Sequence, residues 1–171
     1  MGDLVNQLSW SWTRHKRFEE CRRAYYLAHY GSWGGWDHDA ASEVRLAYLL
    51  KQITGLDAWG GSVVHDVIET ALHDLRWGRL VTVEELVKRA RERMVRGWRE
   101  SKNKDWEFDP KRRTNLFEHY YEDGTVDRRS VAMRDKIGRC LENFRRGRTY
   151  EELQRVKRND WLALEELEQF P

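Results

Sequence analysis

The stretch Gly61-Ser62-Val63-Val64-His65-Asp66-Val67-Ile68-Glu69-Thr70-Ala71-Leu72-His73-Asp74-Leu75-Arg76-Trp77 decides the fold class. Val64, Ile68, Ala71, Leu72 and Leu75 return every three or four residues, which lays a continuous apolar face along an α-helix. A half-buried strand would alternate at every second position instead. Downstream, Thr82 is an N-cap and Glu85, three residues later, completes a capping box. That cap opens a helix carrying Leu86, Ala90, Met94 and Trp98 up to the polar run at residues 101–105. Upstream, residues 40–53 read as a helix with Val44, Ala47, Leu50 and Ile53 on one stripe, ended by Gly55. Residues 11–30 read as one or two helices. Ser11 or Thr13 caps the start, and Phe18, Cys21, Tyr25 and Ala28 lie at helical spacing. Gly31, Gly34 and Gly35 interrupt the chain as a Trp-rich loop over residues 31–37.

The second half continues in the same style. Residues 109–124 are a loop holding Pro110, Asn115 and the cluster Phe117, His119, Tyr120 and Tyr121. Residues 130–145 form a helix presenting Met133, Ile137, Cys140, Leu141 and Phe144, and a short helix spans residues 150–156. Residues 161–170 fit helix or strand, because Leu162 and Leu164 alternate around Ala163 in too short a run to decide. The expectation is a mainly α chain, residues 1–171 as a single helical domain, without a complete sheet.

Composition narrows the function classes. With 171 residues the chain can bury a real core, and only two prolines beside nine tryptophans speak against disorder. The 31 basic and 29 acidic residues leave a net charge of +2, so any nucleic-acid footprint has to be local. The two cysteines, Cys21 and Cys140, lie far apart, which excludes a disulfide framework and suits a reducing cytoplasm. Two cysteines cannot supply the four ligands of an iron–sulfur cluster, so none is expected. The first nine residues lack the basic start and apolar run of a signal peptide, and no apolar stretch is long enough to span a bilayer. A cytoplasmic protein without membrane contact is the expectation.

Two segments carry candidate chemistry. His65 and Glu69 lie four apart on the helix, so their side chains leave on one flank. An imidazole with a carboxylate nearby can ligate a divalent metal. It can equally be a boundary histidine hydrogen-bonded to Glu69, and spacing alone favours that plainer role. The segment Trp12 to Tyr26 mixes Arg14, Lys16, Arg17, Arg22 and Arg23 with Phe18, Tyr25 and Tyr26. Cations neutralise phosphates and rings stack on bases, which suits DNA, in particular single strands. The alternative is an amphipathic helix with Phe18, Cys21 and Tyr25 packed inward and its cations merely solvated. Both hold together if the two sets occupy different faces. The acid-x-Lys triplets Glu100-Ser101-Lys102 and Asp109-Pro110-Lys111 lie outside any apolar strand and read as chance.

With these residues in view, a family resemblance emerges. Trp10-Ser11-Trp12-Thr13-Arg14…Phe18-Glu19-Glu20-Cys21-Arg22-Arg23-Ala24-Tyr25-Tyr26 resembles the S-x-S…F-x-x-C-x-x-x-Y-Y opening of RecB-like PD-(D/E)XK nucleases. That branch includes nuclease domains of bacterial recombination enzymes and exonucleases of CRISPR spacer acquisition. Tyr30-Gly31-Ser32-Trp33-Gly34-Gly35-Trp36, then Leu49-Leu50-Lys51-Gln52-Ile53-Thr54, then Ala58-Trp59-Gly60-Gly61…His65…Ile68-Glu69 are similar in order and spacing to a bacterial subgroup. Pro110-Lys111-Arg112…Asn115-Leu116-Phe117-Glu118-His119-Tyr120-Tyr121 and Asp160-Trp161-Leu162-Ala163-Leu164-Glu165-Glu166 are similar too, so the resemblance covers nearly the whole chain.

The resemblance implies a restriction-endonuclease-like α/β fold of which this chain is the helical N-terminal part, with the central sheet largely missing. It implies metal-dependent phosphodiester hydrolysis with Mg or Mn, His65 as the catalytic and metal residue and Glu69 beside it. Cys21 matches a family cysteine that holds an iron–sulfur cluster in some members. The partner cysteines have no counterpart here, so a small buried thiol is expected. The family's strand ending in Asp and its strand bearing Asp/Glu-x-Lys are also absent, with residues 161–170 the candidate first core strand. The ion is therefore not expected to bind stably to this chain alone, and little cleavage is expected without a missing C-terminal core or another protein. The alternative, from a different class, is a non-catalytic helical DNA- or protein-binding module.

Overall fold

The structure, a computed structural model, describes residues 5–161 together with Leu164. Among these residues the chain is mainly helical and contains no strand; the nearest approach to a sheet is an isolated parallel bridge between Thr54 and Leu116. Of the candidate strand at residues 161–170, only Trp161 and Leu164 are described, and the remainder lies outside the described residues. No helix among the described residues is long and apolar enough to cross a membrane. The contacts divide the chain into two compact units, Met1–Ile53 and Thr54–Pro171.

The first unit is built from short pieces. Helix α1 (Trp12–Glu20) begins at Ser11, whose side chain accepts the Arg14 N–H. Cys21 is extended, which separates α1 from α2 (Arg22–Tyr26), and its Sγ accepts the Ala24 N–H as the cap of the second helix. This break corrects the expected buried thiol: with helical spacing interrupted at Cys21 itself, the side chain is exposed. The chain then widens into a π-helical turn, Leu27–Gly31. Tyr25 becomes the centre of an aromatic cluster, with ring centroids of Phe18, His29, Tyr30 and Trp10 at 5.4, 5.0, 5.9 and 6.0 Å. Helix α3 (Ser42–Leu50) is shorter than its apolar pattern suggests and buries Tyr48 rather than the Val44 stripe. The reason is Gly35: a Cβ there would meet the Val44 carbonyl at 2.7 Å, so the glycine lets the Trp-rich loop lie against α3 at Tyr48.

The second unit is a helical bundle with α4 (Leu56–Arg76), α5 (Val83–Lys102) and α7 (Val126–Arg146) packed on one another. Its core joins Leu56, Trp59, Val63, Val67 and Ala71 to Leu86 and Ala90, and to Met133, Ile137 and Leu141. Fully burying a side chain of this size stabilises by about 1.5–3 kcal/mol. The stripe at the centre of α4 is therefore Val63–Val67–Ala71–Leu75, while Val64 and Ile68 are only half-buried at its margin. Helix α4 also starts five residues before Gly61, and Gly55, read as the end of the previous helix, is its N-cap position. The start is stabilised from a distance. Both oxygens of the buried Glu118 carboxylate, on the short α6 (Phe117–Tyr120), accept the Leu56 N–H at 3.1 and 3.0 Å, and Arg129 pairs with Glu118 at 3.1 Å. At the other end Gly78, at φ +80°, closes the helix: its N–H reaches the Leu75 carbonyl and the Arg79 N–H reaches that of Asp74.

Helix α7 begins earlier than its apolar pattern, at Val126, and Cys140 is exposed while Met133, Ile137 and Leu141 are buried. Four-residue steps through Met133, Ile137 and Leu141 centre the packed face near Ile137 and leave position 140 at its margin. Helix α8 (Arg148–Leu153) follows, and its Tyr150 is fully buried against Phe144.

Candidate metal centre and nucleic-acid faces

Because Val63, Val67 and Ala71 face the core, positions 65, 66 and 69 emerge on the opposite side of α4. His65, Asp66 and Glu69 each offer one ligand atom, and these atoms lie within 4.8 Å of one another. His65 and Asp66 are exposed and Glu69 is half-buried. Asp66 was not singled out in the sequence; its signal is adjacency, since positions i, i+1 and i+4 share one flank of a helix. An imidazole nitrogen with two carboxylate oxygens fits Mn, and fits Mg if several waters complete the shell. The carboxylates also have protein partners: Asp66 meets Arg93 Nε at 3.8 Å, and Glu69 lies 3.9 Å from His73 Nε2.

The basic candidates of the first unit divide by burial. Arg17, Arg22 and Arg23 are exposed, as is Lys16, which faces Glu20 at 3.8 Å. Arg14 donates to the Ser9 carbonyl at 2.8 Å, and Arg22 sits over the Phe18 ring. Tyr26 is exposed and stacks on Tyr30. Tyr25 is 8% exposed and ringed by aromatic neighbours, so it supports the unit's interior and has no open face for a base. Burial, followed by the positive charges of Arg14, Arg17 and Lys51, pushes His29 below the ordinary histidine range.

Neither acid-x-Lys triplet lies on a strand. Glu100 is buried on α5, where it accepts Arg113 at 2.7 Å and the Thr114 N–H at 3.1 Å. Burial alone would raise its carboxyl, but these two donors outweigh it and hold the group below the ordinary carboxylate range. Lys102 lies over the Trp98 ring. Asp109 and Lys111 flank Pro110 in a turn. A Ser101–His119 contact of 2.8 Å resembles a nucleophile–base pair in type only. Ser101 is buried and accepts the Leu116 N–H, and the pair anchors the loop to α5.

The outer face of α5 was read in the sequence only for its apolar side. The structure separates its cations into two sets. Arg89 pairs with Asp74 at 2.7 Å and Glu85 at 2.9 Å, and Arg93 with Asp66, whereas Lys88, Arg91, Arg96 and Arg99 line a cleft along the helix. No protein-family model, curated protein or solved structure matches this chain.

Proposed function

We propose that this chain is the helical N-terminal part of a metal-dependent DNA nuclease of the RecB-like PD-(D/E)XK type. The observation that carries the reading is the convergence of His65, Asp66 and Glu69 on the exposed side of α4, at the histidine that the family resemblance marks. A divalent ion held there would polarise a phosphate and make a bound water acidic enough to attack it. His65 supplies the nitrogen ligand, Asp66 and Glu69 the oxygens, and Arg14, Arg17, Arg22 and Arg23 neutralise phosphates of the DNA. The chain's own triplets cannot complete such a site, because Glu100 is committed to Arg113 and Asp109 sits in a turn. The reading therefore gives these 171 residues a weak metal site and little cleavage by themselves.

Titrating Mn²⁺ into the full chain by calorimetry, with His65→Ala and Glu69→Gln alongside, tests it. Weak binding is expected, reduced at least about tenfold by either substitution. Mn²⁺ binding indifferent to both variants would overturn the metal assignment. Robust cleavage of single-stranded DNA, abolished by His65→Ala, would overturn the claim that the site is incomplete.

A second reading, a non-catalytic nucleic-acid-binding module, is favoured by the cations of α5 that meet no carboxylate among the described residues. It needs no metal at α4, and the two readings part at the calorimetric result.

A further inference from the structure

We infer that the second unit carries its own binding cleft for single-stranded nucleic acid, along the outer face of α5 and the groove toward α7. The inference does not rest on the nuclease reading, since strand binding here requires neither an ion nor His65.

The first observation is charge without partners. A cleft of about 710 Å³ follows α5 and is lined by Lys88, Arg91, Arg96, Arg99 and Arg113. Arg113 is neutralised by Glu100, but Lys88, Arg91, Arg96 and Arg99 pair with no carboxylate among the described residues. On the same helix, Arg89 and Arg93 are compensated by acids of α4 and α5. Like charges this close repel one another unless an anion answers them. The remaining acids of the lining, Glu92 and Asp105, are fewer than the open cations.

The second observation is what lies beside the charges. Arg91, Val95 and Arg99 also border a groove of about 300 Å³ between α5 and α7, whose other wall carries Val131 and Arg134 and whose floor includes Trp98. Val95 and Val131 are exposed. Arg91 and Arg99 stand about 12 Å apart along the helix axis, with Arg134 opposite them. Guanidinium groups on both rims and an apolar floor between them suit a strand whose phosphates meet the rims while a base turns inward. A purely acidic segment such as polyglutamate would use the cations but leave the apolar floor without a partner. A duplex keeps its bases stacked away from it.

The test uses the full chain, EDTA throughout, and the anisotropy of a fluorescein-labelled oligothymidine of about 15 nucleotides. Expected is binding at low salt that weakens as salt rises. The triple variant Arg91→Gln, Arg96→Gln, Arg99→Gln should lose at least about tenfold in affinity and lower the salt slope by about 2. A matched triple on α7, Arg128→Gln, Lys136→Gln, Arg139→Gln, removes equal charge from exposed positions outside the cleft and should retain binding. Thermal melting confirms that both triples remain folded. Equal losses in the two triples, no binding at low salt, or tighter binding of duplex DNA or polyglutamate than of the oligothymidine would each overturn the proposal. Because EDTA removes divalent ions, failure here leaves the His65 metal reading standing, and failure of that reading leaves this one.

Discussion

Three helical glycines separate conformational cost from packing need. Gly61 lies inside α4 with open space around it, so a Cβ would meet nothing within 4 Å. Gly61→Ala should stabilise the fold by about 0.8–1 kcal/mol, the helix-interior difference between the two residues. Gly97 lies inside α5, where a Cβ would come within 2.9 Å of Trp59 Cζ2 and 2.7 Å of Thr114 Oγ1. Trp59 is rigid and buried, so Gly97→Ala should cost about 1 kcal/mol net of the helix gain, read as a lower urea midpoint. Gly60 faces Met133, whose flexible thioether can partly give way, and should fall between the two. The sequence shows all three glycines in helical surroundings but not which are crowded, because the crowding atoms come from distant segments. The candidate metal residues behave similarly. The pairing of His65 with Glu69 is legible from spacing, and the addition of Asp66 follows once the buried stripe is known to run through Val63 and Val67.

The two long helices α4 and α5 are capped in contrasting ways. Thr82 accepts the Glu85 N–H at 3.2 Å, the half of the capping box that local sequence announces. The Glu85 carboxylate turns instead to Arg79 and Arg89, which outbid the backbone as charged donors. Thr82→Ala should cost about 1 kcal/mol. Glu118 caps α4 from 62 residues away and is itself buried with Arg129. Glu118→Ala leaves the Leu56 N–H without its acceptor and takes the shortest of three carboxylates from Arg129, which keeps Asp57 at 3.3 Å and Asp123 at 3.4 Å, and should cost about 2 kcal/mol. Hydrogen exchange would show the first turn of α4 opening selectively in this variant, whereas Thr82→Ala would loosen the start of α5. The element boundaries follow the same division. Ser11 and Thr82 mark helix starts because the acceptor is local. The sequence pattern places the start of α4 at Gly61, five residues late, because the acceptor that fixes Leu56 is the remote Glu118.

At the scale of the whole molecule, pH reports how many groups are held in one protonation state by the fold. Burial, then the nearby Lys102, pushes His119 below the ordinary histidine value of 6.5. The unfolded chain then binds the proton more readily, so stability is intact above pH 6.5 and falls as pH drops toward the depressed folded value. Glu100 and Asp123, held low by their donors, contribute stability above the ordinary carboxylate range that is lost at still lower pH. Urea titrations from pH 8 down to about pH 2 should therefore show two successive declines, and His119→Phe should remove the first. By itself the sequence determined that the chain is mainly α and where its longest apolar stripes lie, because helix periodicity is a property of neighbours three and four apart. It also supplied the imidazole–carboxylate flank of α4 and the basic segment of the first unit. Only tertiary structure decided which side of each stripe is buried, that Cys21 is exposed while Tyr25 is buried, and which arginines of α5 are already answered by acids. Those outcomes depend on groups far apart in the chain, and the energy of a buried charge or a crowded Cβ exists only once the fold has brought them together.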